Sequence, residues 1–342
     1  MKPVRVAVVG VGSIGSLHAK IYAQLPQVAQ LVAVCDVNQA RAQEVAQQAG
    51  CAAVTDFRAL IGQVEAVSLA VPTSLHHPVG VELLKAGLHV LIEKPIAASL
   101  QEADELLAAA EGRGLIVQVG HIERFNAALK TAATYLTHPR FIEAHRLSPY
   151  PLRPSTRPEQ GEAASRGSLR TVPSTVEGRG TDVSVVLDVM IHDLDLVLAL
   201  VRESPTSVEA LGVPVLSASE DIANARVVFP SGCVANLTAS RVSDETLRRI
   251  RVFQEDCYLS IDYKGQAVEL ARKVGLKIER QQLPVTPRPP LEEELESFLQ
   301  SVRSNSHPLV SGREAREALA LALRIEEAMR NSECGMRSHN KR

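Results

Sequence analysis

The sequence contains no tryptophan, and aromatic residues make up 3% of its 342 positions. Base-stacking platforms and aromatic carbohydrate grooves are therefore poorly supplied, so substrate contacts must be mostly polar. Charge of one sign is also lacking, with 37 Lys and Arg against 39 Asp and Glu. Nucleic-acid binding needs a basic surplus to neutralise phosphates, and nucleic acid is not expected as a partner. The five cysteines (Cys35, Cys51, Cys233, Cys257 and Cys334) form no CxxC pair, and an odd count is a poor disulfide framework. No apolar run nears the roughly 20 residues that span a bilayer. Met1–Arg5 runs straight into a strand-like stretch without an apolar targeting segment. These absences predict a cytoplasmic protein with no membrane partner.

What is present is a chain 45% hydrophobic, which excludes disorder throughout and is long enough for two domains. Val4–Val9 is apolar and β-branched almost throughout, as a strand buried on both faces should be. Leu31–Cys35, Ala66–Val71, Leu88–Ile92 and Leu115–Val119 repeat that pattern, separated by helix-rich stretches such as Asn38–Ala49 and Ser99–Glu111. The alternation predicts an α/β fold with a parallel sheet covered on both sides. After about residue 140 the pattern changes to strand-sized alternating segments joined by turns, such as Pro230-Ser231-Gly232 and Lys264-Gly265, which reads as an antiparallel meander. Two helical patterns, Leu291–Ser304 and Gly312–Arg330, close the chain. Residues 149–181, with five Pro, four Gly and five Arg, read as a long flexible loop, and residues 331–342 as a disordered tail. The predicted domains are 1–122 for nucleotide binding and 123–330 for the substrate.

Gly10-Val11-Gly12-Ser13-Ile14-Gly15 follows the first strand and opens a helix. In that context Gly10 permits the tight turn, Gly12 admits a pyrophosphate to the backbone, and Gly15 lets helix and sheet pack closely. The anion would sit on the free N–H groups of the helix start, around Ser13 and Ile14. Asp36, ending the second strand, can bind the ribose hydroxyls and repel a 2′-phosphate, which favours NAD over NADP; Arg41 nearby could soften that preference. The alternative is a glycine turn with no ligand.

Glu93-Lys94-Pro95 ends the fourth predicted strand, on the edge where ligands of an open α/β sheet bind. Lys94 there is either a catalytic ammonium or a surface residue closing a strand. Far along the chain, Val185–Val201 is helix-length and apolar except for Asp188, His192, Asp193 and Asp195. At about 100° per residue, Asp188, His192 and Asp195 share one stripe while Asp193 points elsewhere. An Asp188–His192 contact would orient the imidazole; the alternative is a purely structural pair.

The glycine turn, Val71-Pro72-Thr73 with His76, Glu93-Lys94-Pro95, and Asp188-x-x-x-His192 occur in an order that resembles the Gfo/Idh/MocA family of nicotinamide-dependent sugar and polyol oxidoreductases. The resemblance extends to Pro308–Gly312 before the last helix. Gly120–Asn126, Asp182–Leu198, Arg251–Gln254 and Asp262-Tyr263 are similar to its UDP-N-acetylglucosamine 3-dehydrogenase branch, whose product is aminated on the way to lipid A. The resemblance implies an N-terminal Rossmann doubly wound sheet and a C-terminal α+β domain with an open, mainly antiparallel sheet. It also implies Lys94, Asp188 and His192 as the catalytic trio, with Val71, Thr73, His76, Glu93 and Lys94 beside the cofactor.

The reaction so implied is oxidation of a secondary hydroxyl, most specifically C3 of UDP-N-acetylglucosamine. His192 would accept the proton, held by Asp188, and Lys94 would stabilise the developing alkoxide. A sugar diphosphate needs cations, and the candidates are Arg124, Arg146, Arg241, Arg248 and Arg249, with Arg153 and Arg157 in the long loop. Asn126 and Asp195 are further substrate-contact candidates. An inositol or free-sugar dehydrogenase and a non-catalytic NAD-binding regulator are the alternatives. No second His stands at ligand spacing from His192 on its helix, so no metal is expected. A broad apolar sheet face needing cover predicts a homodimer or homotetramer.

Overall fold

The computed structural model describes residues 2–150 and 183–339. The predicted long loop, with Arg153 and Arg157, therefore lies outside the described residues apart from Pro149 and Tyr150.

The first half of the chain forms a six-stranded parallel sheet, ordered β3-β2-β1-β4-β5-β6. Its strands are β1 (Val4–Val9), β2 (Ala29–Cys35), β3 (Ala52–Val54), β4 (Ala66–Leu69), β5 (His89–Ile92) and β6 (Val117–Val119). Helices α1 (Ser13–Gln24), α2 (Gln39–Ala49), α3 (His76–Lys85) and α4 (Leu100–Ala110) make the crossovers. Val6, Ala7 and Val8 are wholly buried, as a central strand covered on both faces requires. Asn38 and Ser99 cap α2 and α4 by accepting the N–H of Arg41 and Glu102. β3 escaped the sequence reading because three residues carry too little pattern. The order reverses between β1 and β4, so their carboxyl ends form the crevice where this architecture receives ligands.

The second sheet has eight strands in the order β14-β13-β12-β11-β7-β10-β9-β8. These are β7 (Phe141–Leu147), β8 (Ser207–Val213), β9 (Ile222–Val228), β10 (Val234–Ser240), β11 (Leu247–Phe253), β12 (Cys257–Asp262), β13 (Ala267–Val274) and β14 (Lys277–Leu283). Every pairing is antiparallel except β7 with β10. β14 is polar and exposed almost throughout, which hid it from a search for alternation. The inward residues, among them Ile142, Ala225, Leu237, Ile250 and Ile261, pack against α5 (Ala127–Ala133), α6 (Ile191–Val201) and α8 (Gly312–His339) in one core.

Three expectations are corrected here. Over β11–β14 the outer face of the second sheet presents Arg249, Arg251, Ser260, Asp262, Glu269 and Arg280 around the Phe253–Tyr258 stack, so this part of it is mostly polar and charged rather than broadly apolar. Helix α8 continues to His339, beyond the predicted start of the tail at Asn331, because no proline interrupts it. The single predicted helix over Val185–Val201 is instead a π-helical turn, Val186–Met190, followed by α6. Ile191 N–H bonds the Val186 carbonyl, five residues back.

The two sheets do not divide the core between them. Helix α7 (Pro290–Ser304) packs Leu295, Phe298 and Leu299 against Val4, Val6, Val8, Tyr22 and Leu91 of the first sheet's layer. Val310, Ala315 and Leu319 join the core on its other side.

Candidate active site

The turn after β1 is built as its glycines require. Gly10 has φ +84°, and a Cβ on it would meet the Ala70 carbonyl oxygen at 2.6 Å. A Cβ on Gly15 would strike the Gly10 carbonyl, so the helix can approach the sheet only without one. At Gly12 a Cβ would meet nothing within 4 Å. No side chain caps α1, and Ser13 and Ile14 are exposed at its start. An open backbone concavity at a positive helix end is the cradle that a dinucleotide diphosphate fills. Asp36 stands beside it, its carboxylate accepting the N–H groups of Val11 and Asn38, both at 2.9 Å. Arg41 donates to the Val11 carbonyl and Ser16 Oγ and pairs with Glu44. Its guanidinium is thereby engaged by its own neighbours, against the softening role considered from the sequence.

On the far side of the crevice, Val71 and Thr73 follow β4 at the start of α3. His76 is 1% exposed, and its Nε2 and Nδ1 lie 2.9 Å from the carbonyls of Val71 and Pro95. Burial lowers its pKa, although both carbonyls favour the charged ring. With both ring nitrogens against protein carbonyls, His76 ties the exits of β4 and β5 together and has none left for a ligand.

Lys94 emerges from the end of β5 and reaches the second half of the chain. Its Nζ donates to the Asp188 carbonyl at 2.6 Å and lies 3.2 Å from Asp188 Oδ1. His192, one turn on, shares with Lys94 and Asp188 a cleft of about 250 Å³, lined also by Glu123, Arg146, Val189 and Arg248. The ammonium from the front half and the imidazole from the distant helix thus face one space.

The partner of the imidazole differs from the sequence expectation. His192 Nδ1 lies 3.0 Å from Glu123 Oε2, while the Asp188 carboxylate pairs with Lys94. The cause is the π-helical turn: i→i+5 bonding breaks the 100° spacing that placed Asp188 under His192. Glu123, 6% exposed, also accepts from Arg146 Nη1 at 2.6 Å. Arg146 in turn makes two bonds with Asp193, at 2.9 and 3.0 Å. Burial raises the pKa of Glu123, but Arg146 and His192 outweigh it and hold the carboxyl well below its ordinary value. Burial also lowers the pKa of His192, with Glu123 opposing. His121 stands edge-on to His192, ring centroids 6.1 Å apart, and burial keeps it neutral.

Several substrate-contact candidates are used elsewhere. Arg146 lines the cleft with its guanidinium already bound by two acids. Arg241 is 3% exposed and held by Asp221, Ser217, Ser219 and the Val183 carbonyl. Asn126 caps α5 and donates to the Tyr263 carbonyl. Arg124 and Asp195 pair at 3.4 Å in a separate depression with Glu314. Arg249 lies on the outer sheet face. Arg248 lines the cleft, and no acidic partner pairs with it among the described residues.

Sequence reasoning also missed a buried group behind Lys94. Glu93 Oε1 lies 3.2 Å from His18 Nε2, and Glu294 of α7 completes a trio whose donor atoms lie within 4.8 Å of one another. Burial, with Glu93 and Glu123 nearby, raises the Glu294 pKa well above its ordinary value, favouring its neutral form. Glu93 keeps its charge: burial opposes it, but His18, Lys94 and His192 prevail. Residues 75 to 276 apart in sequence gave no local signal for this group.

Comparison with known proteins identifies the family to which this fold belongs. The sequence signature described as "Oxidoreductase family, NAD-binding Rossmann fold" matches residues 4–121, and that of the GFO/IDH/MocA C-terminal domain matches residues 139–259. UDP-N-acetylglucosamine 3-dehydrogenase of Acidithiobacillus ferrooxidans is 34% identical over 95% of this chain and 97% of its own. Its crystal structure superposes with a TM-score of 0.84, covering 96% of this chain and 98% of that one. Myo-inositol 2-dehydrogenase of Thermotoga maritima is 26% identical over 95% of this chain and 96% of its own. Levoglucosan dehydrogenase, solved with NADH and levoglucosan, shares the fold at a TM-score of 0.82 and 17% identity, over 96% of this chain and 98% of that one.

Proposed function

The chain belongs to the Gfo/Idh/MocA oxidoreductases, with an NAD-binding Rossmann fold and dehydrogenase activity on a CH–OH group, and from that membership we propose that its substrate is a sugar nucleotide, UDP-N-acetylglucosamine, oxidised at C3 to the 3-keto sugar. The observation that carries this reading is the meeting of Lys94 and His192 in one cleft at the carboxyl edge of β5. The 34% identity with a UDP-N-acetylglucosamine 3-dehydrogenase over nearly the full length of both chains supports the substrate.

The glycine turn and the start of α1 would hold the diphosphate of NAD, and Asp36 would hold the adenine ribose. When bound, the nicotinamide would supply the hydride acceptor. His192 takes the hydroxyl proton on Nε2, the nitrogen not facing Glu123. Lys94 donates to the same oxygen and stabilises its developing negative charge. Asp188 serves Lys94 rather than His192: its carbonyl and carboxylate fix the direction of the ammonium. Arg248, at the cleft wall, is the described cation placed to meet a substrate phosphate.

Mass spectrometry of the product after incubation with NAD and UDP-N-acetylglucosamine tests the proposal. The expected result is loss of two hydrogens from the sugar nucleotide with stoichiometric NADH. The 26% identical inositol dehydrogenase, matched over 95% of this chain, supports a polyol as the second reading. Turnover of inositol with none of the sugar nucleotide would replace the first reading by the second.

A further inference from the structure

We propose that Glu123 is the positioning residue for His192, setting which ring nitrogen carries the proton, and that Arg146 and Asp193 lock Glu123 in that task. This rests on the reading of His192 as the base of a dehydrogenase. The geometry is a relay of buried contacts drawn from three elements. Glu123 comes from the 3₁₀ turn Ile122–Phe125 before α5, Arg146 from β7, and His192 with Asp193 from α6. Glu123 divides its oxygens: Oε2 lies 3.0 Å from His192 Nδ1 and Oε1 accepts from Arg146 Nη1 at 2.6 Å. An ionised carboxylate only accepts, so the Nδ1 it faces must be the protonated nitrogen. The lone pair is then on Nε2, where a base in this cleft needs it.

Arg146 gives the arrangement its direction. Its three nitrogens all donate, two to Asp193 and one to Glu123, so the atom of residue 123 facing Arg146 must be an acceptor. In a Glu123→Gln protein the amide oxygen would therefore turn to Arg146 and its NH2 to His192. That NH2 donates, so Nδ1 would have to accept and the ring proton would move to Nε2. The imidazole would keep its place and lose its basic nitrogen in the cleft.

The other groups facing the ring do not compete for this role. Lys94, from the end of β5, and Arg146 disfavour its charged form, as does burial; Glu123 is the main opposing influence, and Glu93 behind Lys94 acts in the same sense without touching the ring. His121, stacked edge-on, is neutral. Asp188, on the preceding turn, is bound to Lys94, and Arg248 at the cleft wall is a cation.

The test is nitrogen NMR of the full chain labelled with ¹⁵N-histidine, without NAD or substrate, paired with the pH profile of kcat/KM. In the wild-type protein His192 is expected as the Nδ1–H tautomer. In Glu123→Gln it is expected as Nε2–H with a lower pKa, and kcat should fall by about 10²–10⁴-fold, the range for losing a general base. Glu123→Asp, which keeps the acceptor on both sides, should retain Nδ1–H and recover part of the rate. An Nε2–H ring in the wild-type protein overturns the proposal, as does a folded Glu123→Gln whose tautomer and pKa are unchanged. If the tautomer switches as expected while no substrate is turned over by the wild-type protein, the dehydrogenase reading fails and the positioning of His192 stands.

Discussion

Lys94 owes its position to Asp188, and its contribution should appear in turnover and not in cofactor affinity. Replacing it by Ala removes one donor to the developing alkoxide, which costs about 10²–10³-fold in kcat. The diphosphate cradle, across the crevice, is untouched, so NAD affinity measured by fluorescence should change little. Unchanged turnover would exclude Lys94 from the reaction. Asp195 makes a different prediction. Burial pushes its carboxyl up to about 7, against the pull of Arg124. A carboxyl raised above its ordinary value of 3.8 adds stability that is complete below about 3.8 and lost progressively as pH rises to about 7. Asp195→Asn removes the ionisation, and Arg124 keeps Glu314 at 3.0 Å. The variant should therefore gain melting temperature relative to the parent at pH 8 and gain less at pH 5. At this scale Lys94 stood out by its place at the end of a strand and His192 by its apolar surroundings, while their joining in one site was implied by the family resemblance alone. It did not show that Glu123 meets His192, since a contact across 69 residues has no local period.

The turn between β1 and α1 separates two kinds of glycine that look alike in sequence. Gly12 faces open space, so Gly12→Ala should leave the melting temperature unchanged. It should weaken NAD binding by about tenfold or more, the cost of a lost hydrogen bond to a charged group. Gly15 faces the Gly10 carbonyl, and Gly15→Ala should lower stability itself by about 1–3 kcal/mol through overpacking. Equal effects of both substitutions on the apo protein would show that the turn is not a pre-formed cradle. Strands buried on both faces were legible because their apolar runs are unbroken. The π-helical turn at Val186–Met190 was not, for its residues are as apolar as the α-helix that follows. That one irregularity moved Asp188 from His192 to Lys94, so the error in the element became an error in the site.

For the whole molecule, the two sequence segments taken as domains are not independent bodies. Helix α7 belongs to the second segment by chain order and to the first by packing, with Phe298 wholly buried among Val4, Val6, Val8 and Leu91. The same helix carries Glu294 to His18 and Glu93, directly behind Lys94. Chain order could not reveal this, because the pattern of α7 predicts an amphipathic helix and not the identity of the surface it covers. Phe298→Ala should cost about 3–5 kcal/mol, the range for emptying a buried aromatic site. The loss should fall on the nucleotide-binding half, although the substitution lies 177 residues beyond the end of its family signature at residue 121. Hydrogen exchange of the full chain resolves the point. The variant should lose protection in β1, β2 and α1 together with α7, and saturating NAD should restore part of it, since a ligand of the folded state stabilises that state. Loss confined to the second sheet would mean that α7 is held by its own half, and that the first sheet is closed by chain preceding residue 123.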